Sequence, residues 1–161
     1  MDKVYVGGSL FSQAQINQRL TEGQLLKNIG IDYYNPIENG EINDKSNLPT
    51  AHDIFMSDLQ HILESNFILA DIQDMDEGLL LELGIVIGLQ MAKNIDLDLI
   101  PKQQIVAHNS DIRLGTNGEY NGMYVPYGLN QFVIGAIEEY GIITRSSEEA
   151  INYIDKNKAQ K

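Results

Sequence analysis

Asn66-Phe67-Ile68-Leu69-Ala70-Asp71-Ile72 (NFILADI) is the stretch on which the fold class turns. Its interior is apolar on both faces, the pattern of a central parallel strand covered by helices on either side. The turn Gln73–Gly78 follows, and then a helix from about Glu77 to Lys93. Upstream, Lys3–Val6 (KVYV) reads as a strand feeding the tight turn Gly7-Gly8-Ser9. From Ser12 to about Asn28 the residues Ile16, Leu20 and Leu26 sit near helical spacing, with Gly30 as the stop. Ile31–Tyr34 is a second strand closed by Asn35-Pro36, and Glu38–Asn47 reads as a long polar surface loop. Thr50 and Asp53 resemble a capping box, and Ile54, Phe55, Leu59, Ile62 and Leu63 give the following helix its buried face. Downstream come a strand near Gln104–Ala107, a loop rich in Gly, Asn and Tyr over Asp111–Pro126, and a helix over Asn130–Tyr140. Strand Gly141–Thr144 and a closing helix opened by Ser146 and Glu149 complete the chain. This alternation predicts an α/β fold, a doubly wound parallel sheet of about five strands with helices on both faces.

The 161 residues fit one domain, taken as 1–155, followed by a polar tail over 156–161. A hydrophobic content of 43% supplies one core, and the absence of cysteine excludes disulfides and thiolate metal sites. No apolar run approaches the ~18 residues of a membrane span, and the N-terminus has no secretory pattern, so a cytoplasmic protein is expected. The formal net charge is −12, from 23 acidic and 11 basic residues. Nucleic-acid binding needs a basic stripe to displace counterions, and no such stripe exists. Neither nucleic acid nor membrane is therefore an expected partner. The same acidity disfavours highly phosphorylated substrates and suits a neutral small molecule.

In a doubly wound sheet the ligand crevice lies outside the C-terminal strand ends. Three turns occupy that edge: Gly7-Gly8-Ser9, Asn35–Asn39 and Gln73–Gly78. Beside the third lies Leu79-Leu80-Leu81-Glu82-Leu83-Gly84-Ile85-Val86-Ile87-Gly88-Leu89, which carries one charge. At helical spacing Glu82 shares a face with Ile85, Val86 and Leu89, and no lysine or arginine lies within a turn of it. Burying an uncompensated carboxylate costs on the order of several kcal/mol. Either Glu82 is a wetted, dipole-favoured residue near the helix start, or it is held at the crevice for chemistry. Asp76 is placed to cap that helix, and Asp58 lies mid-helix beside a buried face. Convergent carboxylates without a lysine or a histidine pair suit glycosidic chemistry, in which one attacks the anomeric carbon and another manages the leaving group's proton. GGSLF is not a phosphate loop, GxGxxG is absent, and His52, His61 and His108 lack triad or zinc spacing. No cofactor and no metal are expected.

Three elements together resemble the nucleoside 2-deoxyribosyltransferase family. They are Tyr5-Val6-Gly7-Gly8-Ser9-Leu10-Phe11, Ser57-Asp58-Leu59, and Asp76-Glu77-Gly78-Leu79-Leu80-Leu81-Glu82-Leu83-Gly84, with Asn121-Gly122-Met123 as a later match. The resemblance implies a flavodoxin-like fold and ping-pong transfer of 2-deoxyribose between nucleobases, with deoxynucleosides and free bases as partners. It implies Glu82 as nucleophile, Tyr5 orienting it, Asp76 handling the base and its proton, and Asp58 holding the sugar hydroxyl, the last two being exchangeable. Phe11 would pack on the base and Gly7 would allow close backbone approach. Asn121 and Met123 would complete a neighbouring subunit's site in a homo-oligomer, dimer-based and commonly a hexamer. The chain departs from the family at Leu10, where tryptophan is frequent, and at Glu38-Asn39-Gly40, where a glutamine faces the base. Two other functions remain compatible with these residues: hydrolysis of deoxynucleoside 5′-monophosphates, with Ser9 and Ser12 as phosphate contacts, and non-catalytic nucleoside binding.

Overall fold

The computed structural model describes residues 2–44, 46, 48–74, 76–92, 102–112, 119–124 and 129–159, with backbone alone at 119, 120 and 124. In chain order the elements are β1 (Lys3–Gly7), α1 (Gln13–Asn28), β2 (Asp32–Tyr34), a 3-10 turn (Pro36–Glu38), α2 (Gly40–Asn43), α3 (Ala51–Glu64) and β3 (Phe67–Asp71). Then follow α4 (Glu77–Met91), β4 (Gln104–His108), β5 (Glu119–Tyr120), β6 (Met123–Tyr124), α5 (Gln131–Tyr140), β7 (Gly141–Thr144) and α6 (Ser147–Asn157). Five strands pair in the order β2-β1-β3-β4-β7, all parallel, while β5 and β6 form a separate antiparallel pair. This is the expected doubly wound flavodoxin-like sheet. The order reverses between β1 and β3, and that switch point opens the crevice.

Side-chain parity along the strands sorts the core into two layers. Tyr5, Ile68, Ala70, Ile105 and Ala107 face α3, α4 and α5, joining Ile62, Leu79, Leu83, Val86, Ile134 and Ile137. Val4, Val6, Phe67, Leu69 and Val106 face α1 and α6, joining Leu26, Ala150, Ile151 and Ile154. Each fully buried aliphatic side chain contributes about 1.5–3 kcal/mol, so both layers are needed to hold the helices in place. Register matters for function because a one-residue slip in β1 would carry Tyr5 to the opposite face.

The helix starts follow their caps. Ser12 and Thr50 form capping boxes with Gln15 and Asp53, and Asp76, Asn130 and Ser146 cap α4, α5 and α6. Helix α6 continues through Asn157, so residues 156 and 157 of the expected tail are helical, and Lys158 Nζ reaches Asp155 at 2.6 Å.

The structure corrects four local expectations. Leu20 does not face the core. It is 42% exposed, and α1 buries Arg19, Glu22, Gly23 and Leu26 instead. The apolar spacing misleads there because the inward face of α1 is polar. In α3 only Ile62 is fully buried, and Phe55 is exposed. The segment Glu38–Asn47 contains a helical turn, α2, capped by Asn39 Oδ1, rather than continuous loop. Within Asp111–Pro126, Tyr120–Met123 closes a hairpin through Asn121 (φ 54°) and Gly122 (φ 77°), a pair that takes the left-handed conformations a tight hairpin requires. Residues 113–118, 125 and 126 of that segment, and Lys93 at the expected end of α4, lie outside the described residues.

Candidate active site

A cavity of about 310 Å³ lies at the switch point, lined by Tyr5 and Gly7 of β1, Asp58 of α3, and Asp76, Leu79 and Glu82 around the start of α4. Phe11 and Leu10 form its mouth, and Ile42 and Asn43 of α2 approach from the β2 side. A wider hollow of about 720 Å³, lined by Asn66, Gln104 and Gly141 among others, sits at the opposite, N-terminal strand ends, away from these carboxylates.

Glu82 owes its position to two elements. Helix α4 buries Leu79, Leu83 and Val86, which leaves Glu82 half-buried at the edge of that stripe and directed at β1. Ile85 and Leu89, expected on its face, are only half-buried. From β1, the fully buried Tyr5 donates its hydroxyl to Glu82 Oε1 at 2.7 Å. The other oxygen lies towards Gly7, where a Cβ would come within 3.2 Å of Oε2 and 2.8 Å of Leu79 Cδ1. A side chain at residue 7 would therefore crowd the carboxylate. Burial pushes the Glu82 carboxyl up to about 7; the Tyr5 hydrogen bond opposes this, and the charges of Asp58 and Asp76 add to it. Burial and the neighbouring Glu82 hold the Tyr5 phenol well above its usual range, so it stays a hydrogen-bond donor.

Asp58 is fixed by a residue that sequence reasoning missed. Tyr34, at the end of β2, donates to Asp58 Oδ1 at 2.9 Å and itself accepts from Asn39 Nδ2 at 2.9 Å. Its ring stacks between Tyr5, at 5.7 Å between centroids, and His61, at 3.7 Å. Burial raises the Asp58 carboxyl, while Tyr34 and His61 pull it back down. The turn Asn35-Pro36 that closes the second strand marks this edge of the crevice in the sequence, but nothing local to Tyr34 signals its pairing with α3.

Asp76 caps α4 through Oδ1, which accepts from Leu79 N at 2.9 Å, and presents Oδ2 to Ser9 Oγ at 3.4 Å. The cap therefore leaves one oxygen facing the cavity. Phe11 is 82% exposed, so an unpaired aromatic face stands at the entrance. Asn121 and Met123 do not line this cavity; both are exposed at the hairpin tip. The two serines considered as phosphate contacts are otherwise engaged: Ser12 Oγ caps α1 and Ser9 Oγ turns to Asp76. Among the described residues lining the cavity there are three carboxylates and no lysine, arginine or histidine.

With this geometry in place, comparison with known proteins decides the family. Residues 4–125 match the family described as nucleoside 2-deoxyribosyltransferase. The chain belongs to that family. It is 31% identical over 97 residues to an uncharacterized protein, UU063, of Ureaplasma parvum serovar 3, an alignment covering 55% of this chain and 61% of that protein's length. A crystal structure of a conserved protein from Enterococcus faecalis V583 superposes with a TM-score of 0.73 at 27% identity, covering 97% of this chain and 98% of the other. The same fold is found in a 2-desoxiribosyltransferase from Leishmania mexicana (TM-score 0.64, 17% identity, 98% and 99% covered). It is found again in a 2-deoxyribosyltransferase from Bacillus psychrosaccharolyticus (0.63, 18%, 94% and 91%). Among the described residues no helix is long and apolar enough to cross a membrane.

Proposed function

We propose that this chain transfers 2-deoxyribose between nucleobases through a covalent deoxyribosyl-glutamate at Glu82, in a single domain spanning residues 1–155. The observation that carries the reading is the cavity's charge. Three convergent carboxylates with no cation among the described lining residues suit a neutral nucleoside and oppose a 5′-phosphate.

In the first half-reaction Glu82 Oε2 attacks the anomeric carbon while the N-glycosidic bond breaks and its electron pair leaves with the base. Asp76 delivers the proton that makes the base a neutral leaving group. The sugar's configuration inverts, and the bond to Glu82 holds it until a second base attacks the same carbon. That base expels the carboxylate and returns its own proton to Asp76, restoring the enzyme. A carboxyl that titrates near 7 is substantially ionised at neutral pH yet poorly solvated, which favours attack. Tyr5 holds Oε1 so that Oε2 is free, Asp58 binds a sugar hydroxyl, and Phe11 covers the base. No step calls for a cofactor.

A homo-oligomer forms part of this reading. Helix α4 exposes an apolar outer side, with Leu81 61% and Met91 63% exposed, and Met123 is 65% exposed on its hairpin. A second copy that covers such surfaces gains apolar burial, and it would bring Asn121 and Met123 to a neighbouring cavity.

Incubation with deoxyinosine and free adenine tests the function. Formation of deoxyadenosine supports transfer. Base release independent of an acceptor indicates hydrolysis, and no reaction leaves a binding module. Glu82→Ala is expected to lose several orders of magnitude of turnover, and a trapped wild-type intermediate should carry the sugar on the peptide containing Leu79–Gly84.

A further inference from the structure

The side of the sheet facing α1 holds a buried ionic cluster that the proposed chemistry does not use. Arg19 Nη2 lies 2.7 Å from Glu22 Oε1 and 2.7 Å from Asp71 Oδ2, with the Arg19 side chain 1% exposed and that of Glu22 fully buried. Asp71 and His108 continue the strand parity of Leu69 and Val106, so both end on the α1 face, and His108 Nε2 sits 2.9 Å from Glu22 Oε1. The atoms of Glu22, Asp71 and His108 are close enough to suggest a metal site. However, the guanidinium already lies between the two carboxylates and supplies the cation there.

Arg19 touches the turn after each of the first three strands. Its Nη1 approaches Gly7 O at 3.5 Å, and a Cβ on Gly8 (φ 150°) would fall 1.7 Å from the same nitrogen. Its own carbonyl accepts from Asn35 Nδ2 at 2.9 Å. Through Asp71, whose Oδ1 accepts from Gln73 N at 3.1 Å, it braces the turn that leads to Asp76. Gln15, one turn earlier on α1, ties the same turn at Asp74 at 2.7 Å. Fixing a planar fork against two carboxylates and a carbonyl is a task for arginine, because a lysine ammonium cannot reproduce its geometry.

We propose that Arg19 is a positioning residue that holds the Gly7-Gly8 and Asp71–Asp76 turns in register, and so sets where Asp76 meets the base. The catalytic part of this rests on the deoxyribosyl-transfer reading; the structural part does not. Glu82 is held separately, by α4 and Tyr5, so loss of Arg19 should loosen the base side of the cavity more than the nucleophile.

The test uses the full-length chain carrying Arg19→Lys, with Asp71→Asn as a milder variant that keeps the Arg19–Glu22 pair. By hydrogen–deuterium exchange, amides of Gly7–Ser9 and Gln73–Leu79 should exchange at least ~10-fold faster in Arg19→Lys, while Val4–Val6 and Ile68–Ala70 stay protected. In Asp71→Asn the acceleration should be confined to Gln73–Leu79, and this variant decides the matter if Arg19→Lys does not fold. On catalysis, kcat/KM for deoxyinosine should fall at least ~10-fold further than for an activated aryl deoxyriboside, which needs no proton to leave. Unchanged exchange in the turns, a uniform rise across all amides, or equal losses on both substrates would overturn the proposal. If the wild type turns over neither substrate, the transfer reading fails while the exchange data still judge Arg19.

Discussion

Tyr5, fully buried in β1, donates its hydroxyl to Glu82 on α4 across 2.7 Å, joining the first strand to the fourth helix at the floor of the cavity. The bond lowers the Glu82 carboxyl, whereas burial raises it to about 7. If ionised Glu82 is the nucleophile, kcat/KM rises with pH through a midpoint near 7. Tyr5→Phe removes a hydrogen bond to a charged group, which is worth about 1.5–3 kcal/mol, so the rising limb should move up by about 1–2 pH units. Activity is then lost most at pH 6 and recovered towards pH 9. A pH–rate profile of both proteins checks this; an unmoved limb would mean that Tyr5 does not act on the titrating group.

Glu82 should also cost stability. Its folded-state carboxyl titrates above the ordinary 4.5 of an unfolded chain, so between those values the folded state holds more protons. Stability therefore declines as pH rises from about 4.5 to about 7. Glu82→Gln should be more stable than wild type at pH 8, by at most about 3 kcal/mol, and the advantage should vanish near pH 4.5. Thermal melts of the two proteins at both pH values measure it. A stabilisation independent of pH would show that the charge is not its source.

Asp76 is both a helix cap and, in the proposed mechanism, the base-side acid. Asparagine caps about as well as aspartate, so Asp76→Asn should change stability by only about a few tenths of a kcal/mol. Its kcat/KM should drop sharply on deoxyinosine and far less on an activated aryl deoxyriboside. Asp58→Asn should reduce both rates alike, since a sugar contact serves either substrate. Equal losses for Asp76→Asn would exchange the roles of the two aspartates.

Asn121 and Met123 sit exposed on a hairpin outside their own chain's cavity. If each completes a neighbour's site, inactive Glu82→Ala and inactive Asn121→Ala proteins should regain partial activity when mixed under conditions of subunit exchange. Hybrids would hold some sites with both residues intact. A mixture that exchanges subunits yet stays inactive would show that one chain builds the whole site.

What the sequence alone determined is what rests on near neighbours along the chain. Apolar β3, the alternation of strands and helices, and the caps Thr50, Asp76 and Ser146 all read correctly because periodicity and capping act within a few residues. Glu82 stood out because one charge in an apolar run is costly to bury. How distant polar groups pair is set by packing, which no local pattern encodes. Tyr34 reaches Asp58, and Arg19 reaches Asp71, because strand parity and helix placement bring residues 24 and 52 positions apart into contact. The inward face of α1 is polar for the same reason: Arg19 and Glu22 look like surface charges in sequence, and only packing against the ends of β3 and β4 buries them.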